Sequence, residues 1–394
     1  MFPKLRFKEF DENWKEVTLK NCITSIDSGW SPQCESYPAN SSEWGVLKTT
    51  SVDWSGFNSS FNKKLPLELT PRKEIEVKPL DILVTRAGPT ERVGVVSVVP
   101  HSVRSKLMIS DKLIRLKSNE ENNPLFLGIS LSSVKCQNQL QSKTSGLAKS
   151  QTNISQKILG EVLLKLPSKE EQTKIASFLS AVDEKISQLT KKHELLSQYK
   201  QGMMQKLFSQ QLRFKADDGS EFREWEGKEL HQIFQIKAGG DIEKSSVSEV
   251  RTSEFSYPIF ANSDKNKGFY GWANKFKYKE AVTVTGRGNL GIAVARNEPF
   301  YPIVRLLVLL PLVKQNLKFF EEQINLLDIV SESTGVPQLT APQLSKYKVN
   351  VPSLEEQTKI ANFLSSIDQK IEVVAQQIEQ AKQWKKGLLQ QMFI

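Results

Sequence analysis

Cysteine and histidine are scarce: the 394-residue chain holds three of each. Cys22, Cys34 and Cys136 stand far apart, and no C-x-x-C pair occurs. That excludes a zinc ribbon and a disulfide framework, and it fits a reducing compartment, the cytoplasm. His101, His193 and His231 are isolated from one another. Long apolar runs are also missing. The most apolar stretch, Pro302 to Val313, is short and interrupted by Arg305 and Pro311, so no membrane span is expected. The opening MFPKLRFKEF has no apolar signal core. No G-x-x-x-x-G-K-[ST] loop occurs, which excludes a P-loop ATP site. An Asn-Pro-Pro-aromatic or Asp-Pro-Pro-aromatic tetrapeptide, expected of an amino-methyltransferase, is absent, as are H-E-x-x-H and G-x-S-x-G. No catalytic, cofactor or metal site is therefore expected in this chain.

What the chain does have is one segment twice. LPSKEEQTKIASFLSAVDEKI begins at Leu166, and VPSLEEQTKIANFLSSIDQKI begins at Val351. The match runs without a gap to Phe208 and Phe393, with close to half the positions identical. A repeat of this length governs every other inference. Pro167 and Pro352 end an extended stretch, Ser168 and Ser353 are N-cap candidates, and Glu171 and Glu356 complete an S-x-x-E capping box. Apolar residues then step by four and three. The first copy gives Ile175, Leu179, Val182, Ile186 and Leu189, and the second gives Ile360, Leu364, Ile367, Ile371 and Val374. This is a coiled-coil seam, and each copy places a lysine on it, Lys200 and Lys385, able to select one register. A helix of about 40 residues is about 60 Å long, and one seam of that length needs a partner. The other copy supplies one, although each helix could instead pack on its own domain.

Similar openings precede the helices, LRFKEFDENW from Leu5 and LRFKADDGSEFREW from Leu212, so the repeat includes more than the helix. The expected domains are 1–165, a helix at 166–209, a second block at 210–350 and a second helix at 351–394. The blocks read as mixed α/β (α+β) globules, with strand-like runs at Asp81 to Thr85, Val93 to Val99, Ala281 to Thr285 and Ile292 to Ala295. Both approach their helix through a Ser/Thr-Gly element, Thr144-Ser145-Gly146 and Ser333-Thr334-Gly335.

The net charge is +10, from 54 basic and 44 acidic residues, a balance that suits nucleic acid or simple solubility. Gly286 to Gly291 spells G-x-G-x-x-G, but a strand-like run follows it and the acidic residue of a dinucleotide site is missing. A turn between strands is expected. Arg287 there, and Arg86 in the related Thr85 to Gly94 stretch, are candidates for reaching a phosphate or a guanine edge. From Asn262 to Lys279, Lys265, Lys267, Lys275, Lys277 and Lys279 interleave with five aromatics. That pattern suits a nucleic-acid surface or an amphipathic hairpin with its lysines in water. Trp44 to Lys64, with Lys63 and Lys64, is a weaker analogue.

The doubled [LV]-P-S-x-E-E-Q-T-K-I-A-x-F-L element, each copy following a variable block, resembles the specificity subunit of type I restriction–modification enzymes. In that family a P-x-x-x-E-Q-x-x-I-x-x-x-L signature opens each conserved helix; here Pro-Ser replaces the Pro-Pro of many members. The resemblance covers the whole chain. It implies two target recognition domains, each reading one half of a bipartite site on double-stranded DNA. It implies that the helices form an intramolecular antiparallel coiled coil between them. It also implies two methyltransferase (M) subunits and two restriction/translocase (R) subunits as partners, which bring the S-adenosylmethionine, ATP and Mg2+ sites. Other readings of the same residues are a coiled-coil scaffold whose blocks bind protein, and a stand-alone DNA-modifying enzyme, which the missing motifs disfavour.

Overall fold

The computed structural model describes residues 3–144, 152–329 and 338–393. Most of the two Ser/Thr-Gly elements, 145–146 and 333–335, lies outside the described residues. The chain divides into two compact units. Unit 1 is Met1–Leu189 with Gln377–Ile394, and unit 2 is Thr190–Gln376.

Unit 1 is built chiefly from β1 (Lys15–Thr18), β2 (Ile23–Ser28), β3 (Gly45–Leu47), β4 (Asn62–Lys64), β5 (Ile82–Thr85), β6 (Val96–Val98), β7 (Leu107–Met108), β8 (Leu113–Ser118), helix α1 (Pro124–Leu131), β9 (Leu163–Leu166) and the first half of helix α2 (Lys169–Phe208). Its main sheet has the order β2-β8-β5-β6 with every pair antiparallel. A second sheet, β7-β3-β4, pairs β7 parallel to β3. Ile82, Val84, Ile114 and Leu116 of the main sheet face α1 and α2, while Leu83 and Leu113 face the second sheet. Both faces are buried, which is why β5 reads Ile-Leu-Val-Thr with no polar alternation.

Unit 2 repeats the plan with β10 (Glu226–Glu229), β11 (Phe234–Ala238), β12 (Val247–Ser248), β13 (Tyr257–Phe260), β14 (Phe269–Ala273), β15 (Ala281–Val284), β16 (Ala293–Arg296), β17 (Tyr301–Pro302), β18 (Leu307–Pro311), α3 (Leu317–Ile324), β19 (Lys348–Val351) and much of α4 (Leu354–Met392). The main sheet is β11-β18-β15-β16, again antiparallel throughout. The second is β12-β14-β13-β17, with β13 and β17 parallel. In each unit the strand entering the block pairs antiparallel with the strand leaving it, β1 with β9 and β10 with β19. The entry and exit of each block are thereby stitched together directly before the long helix. The apolar run Pro302 to Val313 is resolved here as the buried central strand β18, and no helix among the described residues is long and apolar enough to cross a membrane.

The seam residues divide between the units. In unit 1, Ile175, Leu179 and Val182 join the block core together with Leu388 and Met392 from the end of α4. In unit 2, Ile360, Leu364 and Ile367 join a core that includes Leu207 from the end of α2. Leu189 and Val374 are buried, and Ile186 and Ile371 lie half-buried at the core margins. The two alternatives for the seam are therefore combined: each helix packs on its own block and on the far end of the other helix. Phe393 sits 6.4 Å from Trp14 near the start of α2, and Phe208 sits 6.4 Å from Trp225 near the start of α4. The helices are therefore antiparallel within each unit.

The seam lysines pair across the helices. Lys385 Nζ is 2.5 Å from Asp183 in unit 1, and Lys200 Nζ is 2.6 Å from Asp368 in unit 2. These positions correspond in the repeat. Unit 2 extends its pair into a network, because Lys200 also meets Glu322 at 3.0 Å and Lys318 meets Glu321, Glu322 and Asp368 at 2.6, 2.8 and 3.3 Å. At the matching places of α1, unit 1 has Leu125, Gly128 and Ile129, so no such network can form. Burial pushes the Asp368 carboxyl up, but the ammonium groups of Lys200 and Lys318 outweigh it and hold it below the ordinary value. A lowered folded-state value means that the stability contributed is present above the unfolded carboxylate value, about 3.9, and is lost as pH falls through the folded one. Asp368→Asn is expected to destabilise the protein more at pH 6 than at pH 3. Urea melts of both proteins at the two pH values check this; an equal penalty at both would refute it.

The three thiols are free, Cys22 and Cys136 buried and Cys34 partly so. Burial pushes Cys22 up to about 11, so it is a packing residue and not a nucleophile at neutral pH.

Candidate nucleic-acid interface

The glycine-rich stretch Gly286 to Gly291 is a hairpin connection from β15 to β16. Thr285, 4% exposed, closes it: its Oγ1 donates to the Asn289 carbonyl at 2.5 Å and accepts from the Ile292 amide at 3.0 Å. Gly291 has φ +81°, and a Cβ there would lie 2.9 Å from Ile329, so glycine is required. Arg287 is exposed on the turn.

Asn262 gathers two neighbouring segments onto this turn. Its Oδ1 accepts from the Gly286 amide at 2.7 Å, and its Nδ2 donates to the Val304 carbonyl. Val304 and Arg305 are both exposed and left-handed, at φ 51° and 58°. For Val304, a β-branched residue, that is a strained conformation held by its surroundings. Asn289 Nδ2 donates to Asp264 at 2.6 Å. The turn of Lys265 and Lys267 thus lies beside that of Arg287. Asn266 and Lys267 are left-handed too, at φ 48° and 50°.

Beneath Lys267 lies Arg296, 9% exposed, with its guanidinium 3.6 Å from the centre of the Phe260 ring. Its Nε donates to Thr283 at 3.1 Å and its Nη2 to the Lys267 carbonyl. Burial lowers this guanidinium to about 10, with Glu321 opposing the shift. A buried cation with no carboxylate ion pair among the described residues is thus spent on fixing the backbone of an exposed loop.

The lysine-rich segment divides in two. Lys265 and Lys267 precede β14, whereas Lys275, Lys277 and Lys279 follow it. All five are exposed, but the strand places them at opposite ends. Lys279 pairs with Glu280, and Lys277 lies over Tyr278. The amphipathic hairpin holds only in part, since Phe276 is 50% exposed and rests on Tyr257.

Unit 1 carries the related loop from β5 to β6. Arg86 is half-buried; its amide donates to the Lys112 carbonyl and its carbonyl accepts from the Ile154 amide. Lys63 is exposed, while Lys64 is engaged by Glu43 at 2.7 Å and packs over Tyr37. The residue that organises this loop is Arg92, which donates to Asp53 at 2.5 Å and to the Val52 carbonyl at 2.7 Å. Composition gave no hint of Arg92, Asn262 or Arg296. Their roles depend on which segments the sheets bring together. No group of three or more His, Cys, Asp or Glu residues able to hold a metal occurs among the described residues.

Two units of one topology, each with differing loops on a shared frame, call for a family whose domain occurs in duplicate. The model of one such family, described as the type I restriction modification DNA specificity domain, matches residues 12–197 and again residues 223–383. The chain belongs to this family. It is 40% identical over 171 residues to the type I restriction enzyme EcoEI specificity subunit of Escherichia coli. That match spans 43% of this chain and only 29% of the relative's length. With the type I restriction enzyme MjaVIII specificity subunit of Methanocaldococcus jannaschii it shares 26% identity over 348 residues, 80% of this chain and 79% of that one. In fold it resembles the crystal structure of a type I restriction–modification S subunit from M. genitalium, with a TM-score of 0.67, 19% identity and coverage of 100% and 99%.

In this family member the doubled signature is a structural clasp. Ser168 and Ser353 cap the helices, accepting from the amides of Glu171 and Glu356 at 3.4 and 3.3 Å. The reciprocal half of the expected capping box is absent, because both carboxylates turn to the block opening. Glu171, 1% exposed, accepts from Arg6 Nε and Nη2 at 2.7 Å each, and Trp14 Nε1 lies 3.4 Å away. Glu356, fully buried, accepts from Arg213 at 3.2 and 3.1 Å and from Trp225 at 3.0 Å. The next residues, Gln172 and Gln357, accept from the amides of Asn123 and Asn316, the N-caps of α1 and α3, at 2.9 and 3.0 Å. They also donate to the carbonyls of Pro167 and Pro352 at 3.1 and 3.0 Å. Three separate parts of each block, its opening, the N-cap of its short helix and its exit, are thus tied to the first turn of the long helix, which explains the Glu-Gln pair.

Proposed function

We propose that the chain is the DNA-reading, non-catalytic subunit of a cytoplasmic type I restriction–modification assembly, each unit reading one half of a bipartite duplex site. The observation that carries this reading is the duplicated specificity domain, whose two copies share sheet order and differ in their exposed basic turns. Two methyltransferase subunits and two restriction/translocase subunits complete the assembly on this scaffold. They supply the S-adenosylmethionine, ATP and Mg2+ sites. Native mass analysis of the complex purified from its host tests this part, and a complex without a methyltransferase would overturn it.

The phosphate-facing side of the reading is tested by salt. Lys265 and Lys267 form no ion pair among the described residues. Each that contacts a phosphate adds about 0.9 to the slope of log K against log salt. Lys265→Ala combined with Lys267→Ala is expected to lower that slope by up to about 2 while leaving the preferred sequence unchanged. Binding titrations on duplex DNA at several salt concentrations measure it. Binding insensitive to salt in the parent protein would favour instead a scaffold whose blocks bind protein.

A further inference from the structure

Outside the repeated helices and the similar openings, the interiors of the two blocks diverge in sequence. Away from the clasp, one arrangement of hydrogen bonds within the block interiors recurs at corresponding atoms in both units. In unit 1 the Thr85 amide donates to the Val95 carbonyl at 2.9 Å, and the Gly94 amide donates to the Thr85 carbonyl at 2.9 Å. Thr85 Oγ1 accepts from the Val95 amide at 2.9 Å and donates to the Arg92 carbonyl. In unit 2 the Thr285 amide donates to the Ile292 carbonyl at 3.0 Å, and the Gly291 amide donates to the Thr285 carbonyl at 2.9 Å. Thr285 Oγ1 accepts from Ile292 and donates to Asn289. Gly94 and Gly291 hold φ of 85° and 81°. The residue after each threonine is braced from outside: Ile154 donates to the Arg86 carbonyl at 3.0 Å and Leu339 to the Gly286 carbonyl at 2.9 Å. The residue two before each glycine is tethered to an aspartate downstream of corresponding strands, Arg92 to Asp53 and Asn289 to Asp264.

The enclosed contents differ in both length and chemistry. Unit 1 holds Arg-Ala-Gly-Pro-Thr-Glu-Arg-Val, and unit 2 holds Gly-Arg-Gly-Asn-Leu. A loop that served only packing would have no reason to keep its frame and lose its contents. A rigid scaffold carrying variable tips is the arrangement of recognition loops. We infer that residues 86–93 and 286–290 are the specificity-determining loops of the two units, each seated in the same Thr–Gly clip. Arg287 is then a base-reading residue, with the bidentate geometry suited to the O6 and N7 of guanine. Thr85 and Thr285 are positioning residues, since their hydroxyls are consumed by the clip. This inference rests on the DNA-reading function proposed above.

The test uses the full-length chain in its host, with sequencing of methylated bases in genomic DNA as the readout. An unmodified chain that directs methylation to no bipartite sequence refutes the DNA-reading function itself. Given such a sequence, Arg287→Ala is expected to relax one or two positions of one half, with discrimination there falling about 5- to 150-fold. The other half and the spacer should be unchanged. Thr285→Val should blur that same half, and Thr285→Ser, which keeps the hydroxyl, should restore it. If Arg287→Ala leaves the sequence intact, changes both halves, or abolishes methylation in a folded protein, these loops do not determine specificity. Because Arg287 is exposed, its replacement still tests the loop if Thr285→Val fails to fold.

Discussion

Arg213→Ala is expected to lower folding stability by about 3–5 kcal/mol, the usual result of removing one member of a buried ion pair. The reason lies in the asymmetry of burial. Glu356 is fully buried, whereas the Arg213 side chain keeps 16% exposure. Without Arg213 the carboxylate retains only the Trp225 indole as a side-chain donor among the described residues, in a core where water cannot replace the lost charge. Glu356→Gln should be milder, because a neutral amide can still accept from Trp225. Arg6→Ala should act in unit 1 as Arg213→Ala does in unit 2, since Glu171 is as deeply held. The urea midpoint decides it: a midpoint for Arg213→Ala within error of the parent protein would show that the clasp contributes no stability. A loss no larger than that of Glu356→Gln would show that charge is not what the arginine provides.

Lengthening both long helices together is expected to move the preferred DNA spacer without changing the bases read. Leu189 of α2 and Gln377 of α4 line one groove in unit 1, so insertions after Lys191 and after Gln376 fall at matching levels of the antiparallel pair. Four added residues extend each helix by about 6 Å at 1.5 Å per residue. At 3.4 Å per base pair that is roughly two base pairs of B-DNA. The insertion also turns each helix about 40° beyond a full turn, at about 100° per residue. Two base pairs turn the duplex by roughly 70°. The difference of about 30° must be absorbed by twist, so affinity for the new site should be lower than the original. Mapping of methylated sites is expected to return the original half-sites one or two base pairs further apart. An unchanged spacer would show that the helices do not measure the DNA, and altered half-site bases would show that the units are not independent readers.

The helices were legible in the sequence because a long amphipathic period is a local property. Each apolar position declares its face through its neighbours three and four residues away, whatever surrounds it. The seam positions of Lys200 and Lys385 were legible for the same reason, and their partners Asp368 and Asp183 sit at matching positions in the repeat. The capping box was half right. Ser168 and Ser353 cap as their positions indicate, but Glu171 and Glu356 turn to arginines more than 140 residues away, which no local pattern encodes.

The candidate interface divides along the same line. Sequence alone determined that the chain is a duplicated block-and-helix protein, that Gly286 to Gly291 is a turn carrying Arg287, and that Lys265 and Lys267 belong to a stretch of lysines interleaved with aromatics. Repetition, periodicity and glycine placement act over a few residues, so a linear reading captures them. Only the tertiary structure decided that Lys265 and Lys267 keep company with Arg287 while Lys275, Lys277 and Lys279 lie at the far end of β14. It alone showed that Asn262 and Arg296 hold the loops in place, and that Thr85–Gly94 and Thr285–Gly291 form one clip. Those relations join strands distant in the chain through sheet order and buried hydrogen bonds, and the free energy of such contacts depends on distance in space, to which the order of residues gives no direct access.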